Sequence, residues 1–186
     1  DIVFYESTVY PGVTKKMTII IEKISNLKSY KNFWVGYSPE RVNPGDKTKT
    51  VDKISKIVSF SKCPNNVKNT ILKVYKSITP KIVLTNVIEE AETSKVIENI
   101  QRDINIAFMN EIMMICDRLN INFHNVIKLA STKWNFLNFA PGLVGGHCLP
   151  VDPYYLSSLV AKKKFKTRLI LAGREINDGM VNYVIA

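Results

Sequence analysis

From about Val87 to Leu119 the chain contains neither glycine nor proline. Within that stretch Ile97, Ile100, Ile104, Phe108, Ile112 and Ile115 recur every three or four residues. This period puts apolar side chains on one face of a helix. At the helical rise the rod is roughly 50 Å long. A chain of 186 residues has to arrange everything else around such a rod, which serves as the spine of a helical domain or as a dimer interface. Lys95, Asn99 and Arg102 fall at i, i+4 and i+7 on one side of it. Taken alone, that row is either a solvated stripe or an anion-binding wall.

The sequence before the rod has a different grain. Ile2 to Tyr5 is a short apolar run of the kind found in a buried parallel strand. Glu6-Ser7-Thr8 forms a polar tip, Pro11-Gly12 a turn, and Val13 to Ser25 a helix. Phe33 to Tyr37, Ile57 to Phe60 and Lys81 to Leu84 are further strands, with a helix over Pro64 to Ser77. This alternation of strand and helix marks an α/β layer. Ligands of such layers gather at the carboxyl ends of strands. Ser7 and Thr8 therefore either touch a cofactor or cap the following helix. The turn-rich loop Ser38 to Gly45 sets Glu40 and Arg41 side by side at another strand tip. They are suited to moving a proton and holding a phosphate, or they are a surface ion pair.

After the rod the spacing predicts helices over about Asn125 to Ala130, Tyr154 to Lys164 and Arg168 to Val184, the last weakened by Gly173 and Gly179. Between the first two lies Pro141-Gly-Leu-Val-Gly-Gly-His-Cys-Leu-Pro-Val-Asp-Pro-Tyr-Tyr155. Its prolines stiffen the loop, and its glycines permit positive φ and close approach of a ligand. Cys148 in that setting is either an accessible nucleophile or an ordinary buried thiol. Cys116 lies in an apolar run and reads as core, and Cys63, before Pro64, as incidental. Three cysteines match neither a disulfide framework nor a metal site, which points to a reducing cytoplasmic compartment.

The net charge of +10 is scattered and lacks interleaved aromatics, so nucleic acid is not the expected partner. A solvated basic surface or an anionic small-molecule substrate fits it. No apolar run approaches the ~20 residues needed to cross a bilayer. The chain opens on a strand without an initiator Met, as a piece cut from a longer protein would.

Four segments in order resemble the UDP-glucose/GDP-mannose dehydrogenase family. They are Glu6-Ser-Thr-Val-Tyr-Pro-Gly12, Gly36-Tyr-Ser-Pro-Glu-Arg-Val-Asn-Pro-Gly45, Ala91-Glu-Thr-Ser-Lys95 with Asn99, and Gly145-Gly-His-Cys-Leu-Pro-Val-Asp152. Lys133-Trp-Asn-Phe and Val151-Asp-Pro-Tyr-Tyr are most similar to its UDP-N-acetylhexosamine branch. The resemblance implies an α/β segment over 1–85, the C-terminal part of a Rossmann-like NAD domain. A mainly α-helical central domain with one long helix would follow over 86–186 and form a homodimer. The Gly-x-Gly-x-x-Gly turn of such NAD domains does not occur in this sequence, so the segment alone is expected to be inactive.

The implied reaction is oxidation of a UDP-sugar C6 alcohol to the acid by NAD, for surface polysaccharide precursors. By resemblance, Cys148 is the nucleophile, Lys95 and Asn99 stabilise the oxyanion, Asp152 and Thr8 place water and protons, and Glu40 activates water. Arg41, Val42, Lys95, Asn99, Arg102 and Gly142 would line the sugar nucleotide, and Glu6, Ser7 and Thr8 the cofactor. No metal is implied. The alternatives are an idle helical dimerisation fragment or a β-hydroxyacid-dehydrogenase-like oxidoreductase. The latter has no need of a thiol in a Gly-Gly-His-Cys setting.

Overall fold

The structure is a computed structural model that describes residues 1–43 and 45–185. Pro44, expected in the turn-rich loop, and Ala186 lie outside the described residues. The chain divides into two compact units, Asp1–Val96 and Ile97–Ala186.

The first unit contains β1 (Ile2–Tyr5), α1 (Val13–Ser25), β2 (Trp34–Tyr37), β3 (Lys56–Phe60), α2 (Asn65–Ile78), β4 (Ile82–Thr85) and the start of α3 (Ile88–Arg118). The sheet order is β1-β2-β3-β4. β1 runs parallel to β2 and β3 parallel to β4, while β2 and β3 are antiparallel. The carboxyl ends of β1 and β2 therefore share one end of the sheet with the amino end of β3. β1 pairs with β2 among the described strands; Ile2 is 37% exposed, and Val3, Phe4 and Tyr5 are half-buried.

The two-residue strand period sends Phe4 toward the cluster of Val58, Phe60, Val67, Ile71 and Tyr75, which α2 covers. Tyr5 joins the other cluster, Tyr37 with Ile88 and Ala91 of α3. Gly36 stands opposite Phe4 in the register, and a Cβ there would come within 2.2 Å of the Phe4 ring. The absence of a side chain is what admits the aromatic.

The second unit contains the rest of α3, then α4 (Phe123–Ala130), α5 (Asp152–Ala161) and α6 (Arg168–Ile185). α3 stops because Asn120 turns left-handed at φ 54° and the Ile121 N–H donates to the Cys116 carbonyl at 2.8 Å. The Asn122 side chain then caps α4 through the Asn125 N–H at 2.9 Å. α5 begins two residues before Tyr154 and ends short of Lys164, whose φ of 60° is incompatible with a continuing helix. Gly173 does not break α6. It is buried against Ile104 and Ala107 of α3, and an added Cβ would make only ordinary contact there, 3.4 Å from the Ile104 side chain.

Candidate functional site

Cys148 sits on an arch that feeds directly into α5. Its carbonyl accepts from the N–H groups of Val151 at 3.2 Å and Asp152 at 2.9 Å. Gly146, two residues earlier, holds φ at 87°, a conformation that glycine adopts without strain. Gly145 has no such requirement. Cys148 is exposed, Cys116 is buried and Cys63 is half-buried. Burial pushes the Cys63 thiol pKa up, against a weaker opposing pull from Lys68. The thiol on the arch is thus the accessible one of the three.

Behind the arch the polar groups are sealed. Asp152 is 2% exposed, and its Oδ2 accepts from Asn99 Nδ2 at 2.5 Å. On the same helix Asp103 and Asn110 follow Asn99 by four and eleven residues, one stripe of α3. Asp103 accepts at Oδ1 from Arg174 Nη1 at 2.5 Å and from Asn177 Nδ2 at 2.8 Å. Arg174 also pairs with Asp178, one turn along α6. Asn177 Oδ1 accepts from Asn110 Nδ2 at 2.8 Å. Asn110 then grips one residue twice: its Oδ1 accepts from the Gly142 N–H at 2.7 Å, and its Nδ2 donates to the Gly142 carbonyl at 3.0 Å. Asp103, Asn110, Arg174 and Asn177 were missed by the sequence reading. Asp103 and Asn110 gave no signal, because they fall on the side of α3 away from the stripe of Ile97, Ile104 and Ile115, where the helix period leads one to expect polar residues.

At the tips of β1 and β2 a second cluster forms around Lys56, the first residue of β3 and only 4% exposed. Its ammonium lies 3.3 Å from Glu6 and 3.5 Å from Glu40. Tyr75 Oη donates to Glu6 Oε1 at 2.9 Å. Burial, chiefly, raises the Tyr75 pKa, so the phenol stays protonated. Glu40 Oε1 also accepts from the backbone N–H groups of Arg41 and Val42, each at 2.7 Å. Burial opposes ionisation of Glu40, but these N–H groups and the Lys56 charge outweigh it and hold its pKa below the usual carboxylate range. Lys56, too, went unnoticed in the sequence; a lysine opening a short strand gives no hint of burial. Arg41 reaches the Ser55 carbonyl at 3.1 Å.

The remaining expected residues are less engaged. Lys95 is half-buried, with no ion-pair partner among the described residues, and Arg102 is exposed. Ser7 is exposed and Thr8 half-buried, and no hydrogen bond among the described residues uses either hydroxyl. The Ser7 carbonyl accepts from Tyr37 Oη at 3.2 Å. The N-terminus of α1 is not an open anion site. Glu92, fully buried, accepts there from the Gly12 N–H at 2.5 Å and the Thr14 N–H at 2.8 Å. A pyrophosphate placed there would be repelled by that carboxylate.

Two family models match in succession. Residues 1–79 match the NAD binding domain of the UDP-glucose/GDP-mannose dehydrogenase family, and residues 89–179 match its central domain. The chain belongs to this family. Among its relatives in the family, the protein CapL of Staphylococcus aureus is 51% identical over 185 residues, 98% of this chain and 43% of that protein. The UDP-N-acetyl-D-glucosamine 6-dehydrogenase of Pseudomonas aeruginosa is 47% identical over 188 residues, 100% of this chain and 44% of its own length. The solved UDP-D-ManNAc dehydrogenase of Pyrococcus horikoshii superposes with a TM-score of 0.86 at 36% identity, covering 99% of this chain and 43% of that one. The chain therefore spans under half the length of the family members it matches.

Proposed function

We propose that this segment serves NAD-dependent oxidation of the C6 hydroxyl of a UDP-N-acetylhexosamine to the uronic acid. The product would feed surface polysaccharide synthesis. The observation that carries the reading is an exposed Cys148 whose arch runs into a buried Asp152 held by Asn99. Two molecules of NAD, bound in turn, would each accept one of the two hydrides that leave C6. Cys148 adds through its sulfur to the aldehyde carbon, and the resulting thiohemiacetal becomes a thioester when the second hydride departs. Water then attacks that carbon, the C–S bond breaks, and the thiol regains its proton. Lys95 stabilises the oxyanion or shuttles the alcohol proton, and Asn99 offers the Nδ2 hydrogen not given to Asp152. Asp152 and Thr8 place water and protons. Glu40, held ionised, orients the hydrolytic water. Arg41, Val42, Arg102 and the Gly142 backbone line the sugar nucleotide. Ser7 and Thr8, shaped by Glu6, face the cofactor.

Residues 1–85 would then be the end of the NAD domain and 86–186 the central domain of a cytoplasmic homodimer. Trp134, 92% exposed, with Leu129 and Leu137, supports an interface on the helical part. No helix among the described residues is long and apolar enough to cross a membrane. Light scattering tests the dimer.

The activity is tested by a chimera in which this segment replaces the matching residues of the Pseudomonas aeruginosa relative. NADH fluorescence with UDP-N-acetylglucosamine should appear with the chimera, be absent with the segment alone, and acid formation should vanish in Cys148→Ser. Normal acid formation by that variant would remove the thiol from the mechanism. Lys95→Ala should lower kcat more than it raises KM.

A further inference from the structure

The arch that carries Cys148 is tied at both ends to one face of one helix. Downstream, Asp152 is held by Asn99, and upstream, Gly142 is held by Asn110. Asn99 and Asn110 are eleven residues apart on α3, about 16 Å along its axis. The two ties differ in kind. The Asn99 tie is a side chain against a side chain. The Asn110 tie seizes both polar groups of a peptide backbone, which fixes the direction of the chain as well as its position. Asn110 is 0% exposed, so water cannot compete for its amide.

Asn110 is itself held in one orientation. Its Nδ2 also donates to Asn177 Oδ1, and the Asn177 Nδ2 donates to both the carbonyl and Oδ1 of Asp103. Asp103 is in turn held by Arg174. The chain of bonds has one polarity throughout. Asp103 can only accept, so Asn177 must present its amide nitrogen to it and its oxygen to Asn110. Asn110 must then present its nitrogen to Asn177, which leaves its oxygen for the Gly142 N–H. The ion pair of Arg174 and Asp103 therefore dictates which way the Asn110 amide faces.

We propose that Asn110 is a positioning residue for the Cys148 arch, with Asp103, Arg174 and Asn177 as the buttress that orients it. This inference rests on the reading of Cys148 as nucleophile only for its purpose, since the tie itself is measurable without turnover. The test uses this chain with Cys63→Ser and Cys116→Ala, so that a nitroxide label reports on Cys148 alone. Asn110→Ala should speed amide exchange at Gly142 at least tenfold relative to amides in the middle of α6. It should also narrow the spectrum of the label as the arch gains freedom. Asn110→Asp keeps the acceptor for the Gly142 N–H but loses the donor. Compared with the parent at the same pH, it should exchange at an intermediate rate, and the ratio of the two rates should fall toward one as acid restores a proton to that carboxyl. If Asn110→Ala does not fold, the Asn110→Asp titration decides alone. Unchanged Gly142 exchange, or an unchanged label spectrum in a folded variant, would overturn the proposal. A failed chimera assay with a mobile arch in Asn110→Ala would instead fault the functional reading and leave the tie standing.

Discussion

At the tips of β1 and β2, charged side chains meet in a half-open site, with Glu6 and Glu40 turned to one buried Lys56. Along α3 the arrangement is reversed, because Asn99, Asp103 and Asn110 are sealed and mostly joined through neutral amides. The difference is between control by charge and control by direction. A half-exposed ion cluster is screened and titrates, so its geometry depends on pH and salt. A buried amide chain carries little net charge, but each amide hydrogen is given to one acceptor and each amide oxygen can only accept, so it fixes orientation. The first suits groups that handle water and protons; the second suits a backbone that must not move.

The sharpest way to break this contrast is Asp103→Ala. It leaves the Arg174 guanidinium buried without its main counterion, at a cost of about 3–5 kcal/mol in urea denaturation. A cost near that of a surface change would mean that the helix network is not sealed. Next is Glu92→Ala, which strands the N–H groups of Gly12 and Thr14 at the start of α1. Loss of about 1–3 kcal/mol is expected, and far-ultraviolet dichroism should show α1 fraying before the rest melts.

Lys56→Met probes the charge side. The folded pKa of Glu40 is depressed, so its contribution to stability is present above the unfolded carboxylate value of about 4.3 and is lost as pH falls through the folded value. Removing Lys56 takes away one cause of that depression. The fall in urea midpoint between about pH 6 and pH 3 should therefore be smaller in the variant than in the parent. An identical fall would assign the effect to the backbone N–H groups of Arg41 and Val42. The smallest effect is expected from Arg102→Ala, within about 0.5 kcal/mol, because the side chain is exposed. A larger cost would show that the row of Lys95, Asn99 and Arg102 acts as a unit after all.

That row shows what helical spacing can and cannot reveal. The i, i+4, i+7 pattern puts three residues on one side of a helix, but the structure separates them into half-buried Lys95, buried Asn99 and exposed Arg102. The stripe that matters runs from Asn99 to Asp103 and Asn110, and, turned away from the apolar stripe, it looked like a solvated side of the helix. Strand and helix positions were largely legible, because period and turn residues are local properties. The Cys148 loop was legible through its glycines, prolines and thiol, whereas its tether to Asn110 was hidden by the 32 residues that separate Asn110 from Gly142.

By itself the sequence determined the long helix, the strand-and-helix layer before it and the unusual setting of one thiol. Each follows from residues within a few positions of one another, where sterics and periodicity decide. Only the tertiary structure decided that Lys56 would be buried between two carboxylates and that Arg174, through Asp103 and Asn177, would orient the amide that holds Gly142. Those outcomes depend on which distant groups are desolvated together, and a buried polar atom takes its meaning from the partner that packing brings to it.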